Sequence, residues 1–406
     1  MAKYNYDKSV LKGYGVGPFL GEVKVREAHI AAAPAEEIQS IFNANIIAKK
    51  LHPSIVFAKV AKVEEQPLAK IYTLVADKEK GTEELPYFRA GQYVSVALFM
   101  ENGEFISKPY TLAGNPKDAI GENSSYRIMV KESANPHASG FIHENWKVGT
   151  EVILGTPVGD FYHNGLRDAK KVIAASGGSG ITPFISMAYA IAEGIEDFEM
   201  TLLCGHKNWE EIAFRDELDE LVKKCKGKFK VIHVLSEAEH EGCEKGFITT
   251  DLIKKYAGND DYSLLICGNR AFYDHMDTVV AELGLPRRRA RFELRGEFGA
   301  PSNDPAYKGD ENATYKLKVW VKDEAHDLEC NANEPLIVAI QKAGIGLTTD
   351  CRSGICGWCH SRLICGNVFI PESADGRREA DKKFGWIHPC ATYALSDIEM
   401  EVFPSF

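Results

Sequence analysis

The residues best suited to chemistry in this chain are Cys351, Cys356, Cys359 and Cys390. The first three follow a C-x4-C-x2-C spacing, and the fourth lies farther along. Four thiolates are what a [2Fe–2S] cluster requires, and an irregular triplet with a distant fourth cysteine suits it. Gly354 and Gly357 would let the loop curl so that backbone amides point at the sulfurs and favour the reduced, more negative state. A zinc site usually carries two short Cys or His pairs instead. Cys330 and Cys365 fall outside the spacing and are expected to be buried small hydrophobes. The first cysteine of the chain is Cys204. A secreted disulfide framework would spread its cysteines through a small domain, and Met1 to Gly17 lack the basic-then-apolar order of a leader peptide. The cysteines therefore read as metal ligands in a cytoplasmic protein.

A second set of residues suits nucleotides. In Lys108-Pro109-Tyr110-Thr111-Leu-Ala-Gly114 an aromatic ring, a hydroxyl and a cation are adjacent. Tyr110 could stack on an isoalloxazine, Thr111 could hydrogen-bond its reactive edge, and Lys108 could neutralise a phosphate. Arg89-Ala-Gly-Gln-Tyr-Val94, Pro136-His-Ala-Ser139-Gly-Phe-Ile-His143 and Pro157-Val-Gly-Asp-Phe161 accompany it; Ser139 and nearby amides could meet a phosphate. Ala175-Ser-Gly177-Gly178-Ser-Gly180-Ile-Thr182-Pro183 follows an apolar run and precedes a helical pattern, as a dinucleotide loop would. Cys267-Gly268 ends a later strand pattern. In Arg291-Phe-Glu293-Leu-Arg-Gly-Glu297-Phe298 a glutamate neighbours an aromatic residue in two registers, and the Glu293 register is preferred.

These motifs together resemble the ferredoxin–NADP reductase superfamily, and residues from about 315 onward resemble plant-type ferredoxins, with Ala343-Gly-Ile-Gly-Leu before the cysteine loop and Gly366-Asn-Val after it. The order of parts resembles reductases typified by phthalate dioxygenase reductase and phenylacetyl-CoA oxygenase reductase. The resemblance implies Tyr110, Thr111, Cys267 and Glu293 as catalytic residues. It implies cofactor contacts at Lys108, Pro109, Tyr110, Thr111, Ile128, Val130, Ser139, Gly177, Gly178, Gly180, Thr182, Cys267 and Gly268, and cluster ligation by Cys351, Cys356, Cys359 and Cys390. The chain departs from the family pattern at Lys108, where an arginine is usual, at Pro136 in place of a glycine, and at Asn269-Arg270 in place of a proline. The expected cofactors are FAD, with FMN the alternative, a [2Fe–2S] cluster and NADH ahead of NADPH. Lys207 stands near where a 2′-phosphate would lie, but NADH users also carry a base there. A nicotinamide gives up two electrons together, a cluster takes one at a time, and a flavin can do both. The implied function is an NAD(P)H-dependent reductase passing electrons through flavin and cluster to a partner protein. A permanent electron-transfer subunit of a larger redox complex is the alternative.

The elements that must hold these residues follow from periodicity. Ile55–Val60, Ile71–Val75, Gln92–Leu98, Tyr126–Lys131 and Glu151–Leu154 read as strands separated by Gly, Asn, Asp and Pro, which suits an antiparallel Greek-key β-barrel over 55–166. Over 167–298 apolar strands alternate with helical stretches such as Trp209–Lys224 and Ala271–Leu283, which suits a doubly wound α/β parallel sheet. A Pro/Gly/Asp-rich linker covers 299–314. An α+β β-grasp ferredoxin domain is expected over 315–406, with a strand at Tyr315–Val321 and a helix at Pro335–Ala343. Residues 1–54 carry no chemical motif beyond a short helical pattern over Pro34–Leu51.

Of the 406 residues, 58 are acidic and 48 basic, so the net charge of -10 argues against nucleic acid as a partner. No run of about 18 apolar residues spans a membrane. The three arginines Arg287, Arg288 and Arg289 read as a solvated face. Residues 315–406 hold ten basic and thirteen acidic side chains, from which a weak, salt-sensitive partner contact is expected at the edge of the cysteine loop.

Overall fold

The computed structural model describes residues 17–33, 42–132, 137–286 and 288–404. Two helices, α1 (Gly17–Ala32) and α2 (Asn43–Leu51), precede the folded units. The helix expected from Pro34 begins at Asn43, and Pro34 itself lies outside the described residues.

The first unit contains β1 (Val56–Gln66), β2 (Ala69–Ala76), β3 (Tyr93–Phe99), β4 (Phe105–Thr111), β5 (Ser125–Lys131), α3 (Ala138–Asn145) and β6 (Glu151–Leu154). The strands pair antiparallel in the order β4-β3-β6-β1-β2-β5. A bridge between Leu112 and Ile128 brings the end of β4 onto β5 and closes the sheet into a barrel. Because side chains alternate along a strand, every second residue enters the core. Val56, Ala58 and Val60 of β1, Tyr72 and Leu74 of β2, and Ile128 and Val130 of β5 fill it.

The second unit runs β7 (Lys171–Gly177), α4 (Thr182–Ala192), β8 (Glu199–His206), α5 (Arg215–Lys224), β9 (Phe229–Leu235), β10 (Glu244–Lys245), α6 (Thr250–Ala257), β11 (Tyr262–Cys267), α7 (Arg270–Leu283) and β12 (Ala290–Phe292). All neighbours are parallel in the order β10-β9-β8-β7-β11-β12. The chain winds outward from β7 in both directions, so a crevice opens beyond the carboxyl ends of β7 and β11. Residues of α4 and α5 pack one face of the sheet in a cluster that continues into Ala69, Ile71, Met129 and Phe161 of the barrel unit. Residues of α6 and α7 pack the other face. The helix expected over Trp209–Lys224 is interrupted. Phe214, buried and in the left-handed region at φ 60°, separates a single turn at Trp209–Glu211 from α5.

The third unit comprises β13 (Thr314–Val321), β14 (Glu324–Asn331), α8 (Leu336–Lys342), β15 (Ser361–Cys365), β16 (Val368–Phe369), α9 (Glu379–Lys383), β17 (Trp386–Ile387), β18 (Tyr393–Ala394) and β19 (Ile398–Val402). Its main sheet is ordered β14-β13-β19-β15-β17, with β13 and β19 parallel. Leu336, Ile337 and Ile340 of α8 share a core with Leu317, Val319, Met400 and Val402 of that sheet, the β-grasp arrangement. Cys330 is buried, as expected. Cys365 is exposed instead, because it ends β15 at a register shift opposite Glu399. Arg288 is exposed, but Arg289 is not part of a solvated face: it pairs with Asp261 at 2.5 Å and donates to the Arg167 carbonyl. Arg287 lies outside the described residues.

Candidate functional site

One strand organises the chemistry. In β4 the first three residues, Phe105 to Ser107, are buried, and the next four, Lys108, Pro109, Tyr110 and Thr111, are each half-buried. A strand covered on one face alternates between buried and exposed, so four consecutive half-covered residues mark a surface that the protein leaves open for something else. Tyr110, packed beside the barrel core, has its phenol pushed up by burial and keeps its proton. It presents a neutral ring, which suits stacking on a planar aromatic group.

At the Thr111 end, Thr111 Oγ1 donates to Glu293 Oε1 at 2.6 Å and Cys267 Sγ donates to Glu293 Oε2 at 2.8 Å. Glu293 follows β12 and Cys267 ends β11, so the parallel sheet delivers both to the barrel strand. Desolvation raises the Glu293 carboxyl above its usual range, against the lowering pull of the two hydrogen bonds. Burial, and then the Glu293 charge, push the Cys267 thiol well up, so it stays a thiol rather than a thiolate. Three groups thus share protons beside the open strand without carrying a free cation.

The glycine loop between β7 and α4 abuts this point. A side chain on Gly180 would stand 2.0 Å from the Cys267 carbonyl oxygen, so only glycine allows the loop to lie against the Cys267–Gly268 backbone. The Phe272 ring similarly covers Gly177 and Gly268. Thr182 is buried at the start of α4 and donates to the Ser179 carbonyl at 3.3 Å.

Beyond the loop a cleft of about 520 Å³ opens at the carboxyl ends of the strands. Gly177, Gly178, Lys207, Asn269 and Phe272 line it, together with Leu68, Met129 and Lys131 from the barrel. Its size falls in the range of nucleotide pockets, roughly 300–1,000 Å³. Lys131 Nζ stands 3.3 Å from where a side chain on Gly178 would begin, a cation at the mouth of the helix-opening loop. Sequence reasoning missed Lys131. The period of two along β5 could have found it, since Ile128 and Val130 are core residues at 0% and 1% exposure and the intervening Met129 and Lys131 face the cleft. The side chains of Ile128 and Val130 therefore fill the barrel core, which leaves their backbone groups for a cofactor. His206 also lines the cleft, with Nε2 2.9 Å from Cys204 Sγ. Burial, then the charges of His233 and Lys131, lower its imidazole to about 4, so it is neutral at physiological pH.

Ser139 sits at the start of α3 and is half-buried, while Pro136 lies outside the described residues. Among the described hydrogen bonds none ties Ser139 to β4.

The Ser107 end meets the cysteine loop. Lys108, which the sequence aims at a phosphate, pairs with Glu297 in this structure, and Glu297 also pairs with Arg352. Burial, then the neighbouring Arg352 charge, lower the Lys108 ammonium to about 8 in spite of Glu297. Desolvation opposes ionisation of Glu297, but Arg352 and Lys108 hold its carboxyl down at about 2. The two glutamates of the 291–298 segment thus meet different residues of β4, Glu293 at Thr111 and Glu297 at Lys108.

Cys351, Cys359 and Cys390 are buried and Cys356 is exposed. Cys359 and Cys390 have their sulfurs 3.4 Å apart, and the amides of Ser353 and Cys356 each donate to Cys351 Sγ at 3.4 Å. Gly354 (φ 77°) brings the loop so close to Ala374 that a side chain there would stand 1.9 Å from its carbonyl oxygen. His388 is buried with Nδ1 2.6 Å from the Gly354 carbonyl oxygen and so braces the loop. Among the described residues no three His, Cys, Asp or Glu side chains are arranged around a single ion. A sulfur-only donor set with amides aimed at a sulfur fits a binuclear cluster, which needs only two thiolates on each iron. Ile355 and Trp358 stand out from the same loop, 56% and 53% exposed.

With this geometry in place, comparisons with known proteins assign the class. Residues 175–278 match the family of the oxidoreductase NAD-binding domain, and residues 320–395 match the 2Fe-2S iron-sulfur cluster binding domain. Together they define an oxidoreductase with an NAD-binding domain and a [2Fe–2S] domain in one chain, an arrangement that fits a reductase similar to the ferredoxin–NADP reductase type. More particularly, the chain is 25% identical over 337 residues to the glycine betaine monooxygenase reductase subunit of Chromohalobacter salexigens, covering 78% of this chain and 87% of that protein. It is 32% identical over 250 residues to flavohemoprotein A of Dictyostelium discoideum, covering 58% of each. The solved structure of phthalate dioxygenase reductase, described as a modular structure for electron transfer from pyridine nucleotides to [2Fe–2S], superposes with a TM-score of 0.60 at 24% identity, covering 86% of this chain and 98% of that one.

Proposed function

We propose that this chain takes electrons from NADH into a flavin lying along β4 and passes them singly through a [2Fe–2S] cluster to a partner protein. The observation that carries the reading is that a five-residue run, Ser107 to Thr111, is tied at one end to the NAD-binding sheet and at the other to the cysteine loop. At about 3.3 Å per residue, that run spans about 13 Å. Flavin supplies the conversion from paired to single electrons when bound. Tyr110 and Pro109 would face its ring system, and Thr111 would bind its reactive edge. Cys267 would hold a small, soft wall for the nicotinamide, and Glu293 would keep Cys267 and Thr111 oriented and hold a proton at its raised carboxyl. Lys131, Gly178 and Thr182 would receive the dinucleotide phosphates at the start of α4.

Cys351, Cys356, Cys359 and Cys390 would ligate the cluster. FAD is the preferred flavin; the likeness to a flavohemoprotein supports flavin binding. The barrel is assigned to 55–166, the NAD unit to 167–298, the linker to 299–314 and the cluster domain to 315–406; residues 1–54 have no assigned role. The likeness to a monooxygenase reductase subunit supports an oxygenase or other redox enzyme as the electron acceptor, and the cytoplasm is the location we propose. Among the described residues no helix is long and apolar enough to cross a membrane. With Ile355 and Trp358 exposed beside Cys356, the acceptor contact would be apolar at its centre, inside the salt-sensitive rim expected from charge counts.

The test is direct. Purified protein should release a flavin on acid treatment and contain iron and sulfide. It should also reduce both ferricyanide and cytochrome c with NADH. Protein that binds iron and sulfide but no flavin, or that leaves NADH unoxidised, would refute the reading.

A further inference from the structure

Arg352 is an unusual residue for its position. It adjoins Cys351, is 4% exposed, and adopts the left-handed backbone region at φ 49° without being glycine. Such a conformation persists only where the surroundings over-determine it. Here they do. The guanidinium pairs with Glu297 through Nε, and its Nη1 donates to Gln341 Oε1 at 2.9 Å and to the Ser107 carbonyl at 3.4 Å. One side chain therefore ties the cysteine loop to β4, to α8 and to the segment leaving the NAD-binding unit.

Two neutral residues make the same junction and share it with Arg352, whose Nη1 also donates to Thr349 Oγ1 at 3.4 Å. Ser107 Oγ donates to the Thr349 carbonyl at 2.7 Å, and Thr349 Oγ1 donates back to the Ser107 carbonyl at 3.1 Å. Both residues are 1% exposed, so neither bond competes with water. The partners lie 242 positions apart in the chain, and Ser107 immediately precedes Lys108 of the flavin motif. A hydrogen-bond pair buried at the seam, one residue from one candidate cofactor site and two residues from a ligand of the other, fixes the spacing of both.

We propose that Ser107, Thr349 and Arg352 are positioning residues that clamp the cluster loop onto the flavin strand and so set the rate at which electrons cross between the cofactors. None of them touches a reacting atom; they act through Lys108 and Cys351. The proposal rests on the function proposed above. It predicts a selective defect, because one-electron transfer falls steeply with distance whereas hydride transfer takes place at the far end of β4.

The experiment uses the full chain loaded with both cofactors, carrying Ser107→Ala with Thr349→Val, or Arg352→Gln. Anaerobic stopped-flow mixing with NADH follows flavin bleaching and cluster reduction separately. Flavin bleaching should stay within about twofold of the parent, while cluster reduction slows about tenfold or more. Thr349→Ser, which keeps the hydroxyl, should behave as the parent. In the double variant, amide hydrogen exchange over residues 347–353 should accelerate with iron content unchanged. If Arg352→Gln fails to load a cluster, the double variant alone decides.

A loaded double variant whose cluster reduces at the parent's rate would overturn the clamp. So would one in which both steps slow in parallel, since that is what general loosening produces. A parent chain whose flavin bleaches while its cluster stays oxidised would instead overturn the proposed function, and the clamp with it.

Discussion

At the Thr111 end of β4 a carboxyl, a thiol and a hydroxyl share two hydrogen bonds, and among the described residues no cation is paired with the carboxyl. At the Ser107 end a carboxylate is held between a lysine and an arginine. The two glutamates belong to one short segment, Glu293 and Glu297, yet their acidities move in opposite directions: desolvation raises the first, and two cations hold the second at about 2. The difference matches the two tasks. A group beside a hydride acceptor is useful if it can hold or release a proton, which requires a raised carboxyl. A seam between units that exchange only electrons needs a fixed geometry, which permanent charges and buried hydrogen bonds provide.

That contrast can be broken most severely on the cluster side. Replacing Cys390 with serine should abolish the [2Fe–2S] electron paramagnetic resonance signal and lower the thermal stability of the third unit, since metal binding is coupled to folding. NADH-driven reduction of ferricyanide through the flavin should survive. Next in size, Glu293→Gln should slow flavin reduction by NADH about 10²-fold while leaving iron content unchanged. Equal slowing of flavin reduction by Glu297→Gln would erase the distinction between the two ends.

Gly180→Ala tests the packing that brings the dinucleotide loop to Cys267. Its new methyl group would meet the Cys267 carbonyl at 2.0 Å, so the variant should lose about 1–3 kcal/mol of stability by calorimetry and bind NADH more weakly. The smallest effect concerns acid. Because Glu297 has a folded value of about 2 against an ordinary 4.5, its ion pairs stabilise the protein above pH 4.5, and that contribution disappears as the pH falls from 4.5 towards 2. With its side chain 38% exposed, solvent screening reduces the effect to about 1 kcal/mol. Glu297→Gln should therefore be less stable than the parent at pH 7, with the two curves converging at the acid limit; a constant gap from pH 7 to 2 would contradict this assignment.

How much of this was legible in the sequence depends on how local each signal is. The cysteine triplet, the glycine loop and the Lys108–Thr111 motif are contiguous, so their chemistry could be read from spacing. The doubly wound unit was legible because its central strands β7 and β11 are apolar along most of their length, as burial on both faces demands. Glu293 and Glu297 were both visible in the sequence, but nothing there showed that the first meets Thr111 and Cys267 while the second meets Lys108 and Arg352. The alternation of β5 sends the Ile128 and Val130 side chains into the barrel and leaves Met129 and Lys131 facing the cleft, so Lys131 could have been read from the strand period. Phe214 broke an apparently continuous helix through a backbone conformation that no propensity signals. Ser107, Thr349 and Arg352 were not legible at all. Their importance arises from contacts across as many as 245 positions, which only the folded chain brings together.

The central claim is that paired electrons entering beside Cys267 leave singly through the cysteine loop of the same molecule. Rapid-freeze electron paramagnetic resonance after anaerobic mixing with NADH tests it. The account predicts a rhombic [2Fe–2S] signal that grows in as the flavin absorbance is lost, with no other protein present. A flavin that bleaches completely while that signal appears only on adding dithionite would contradict it.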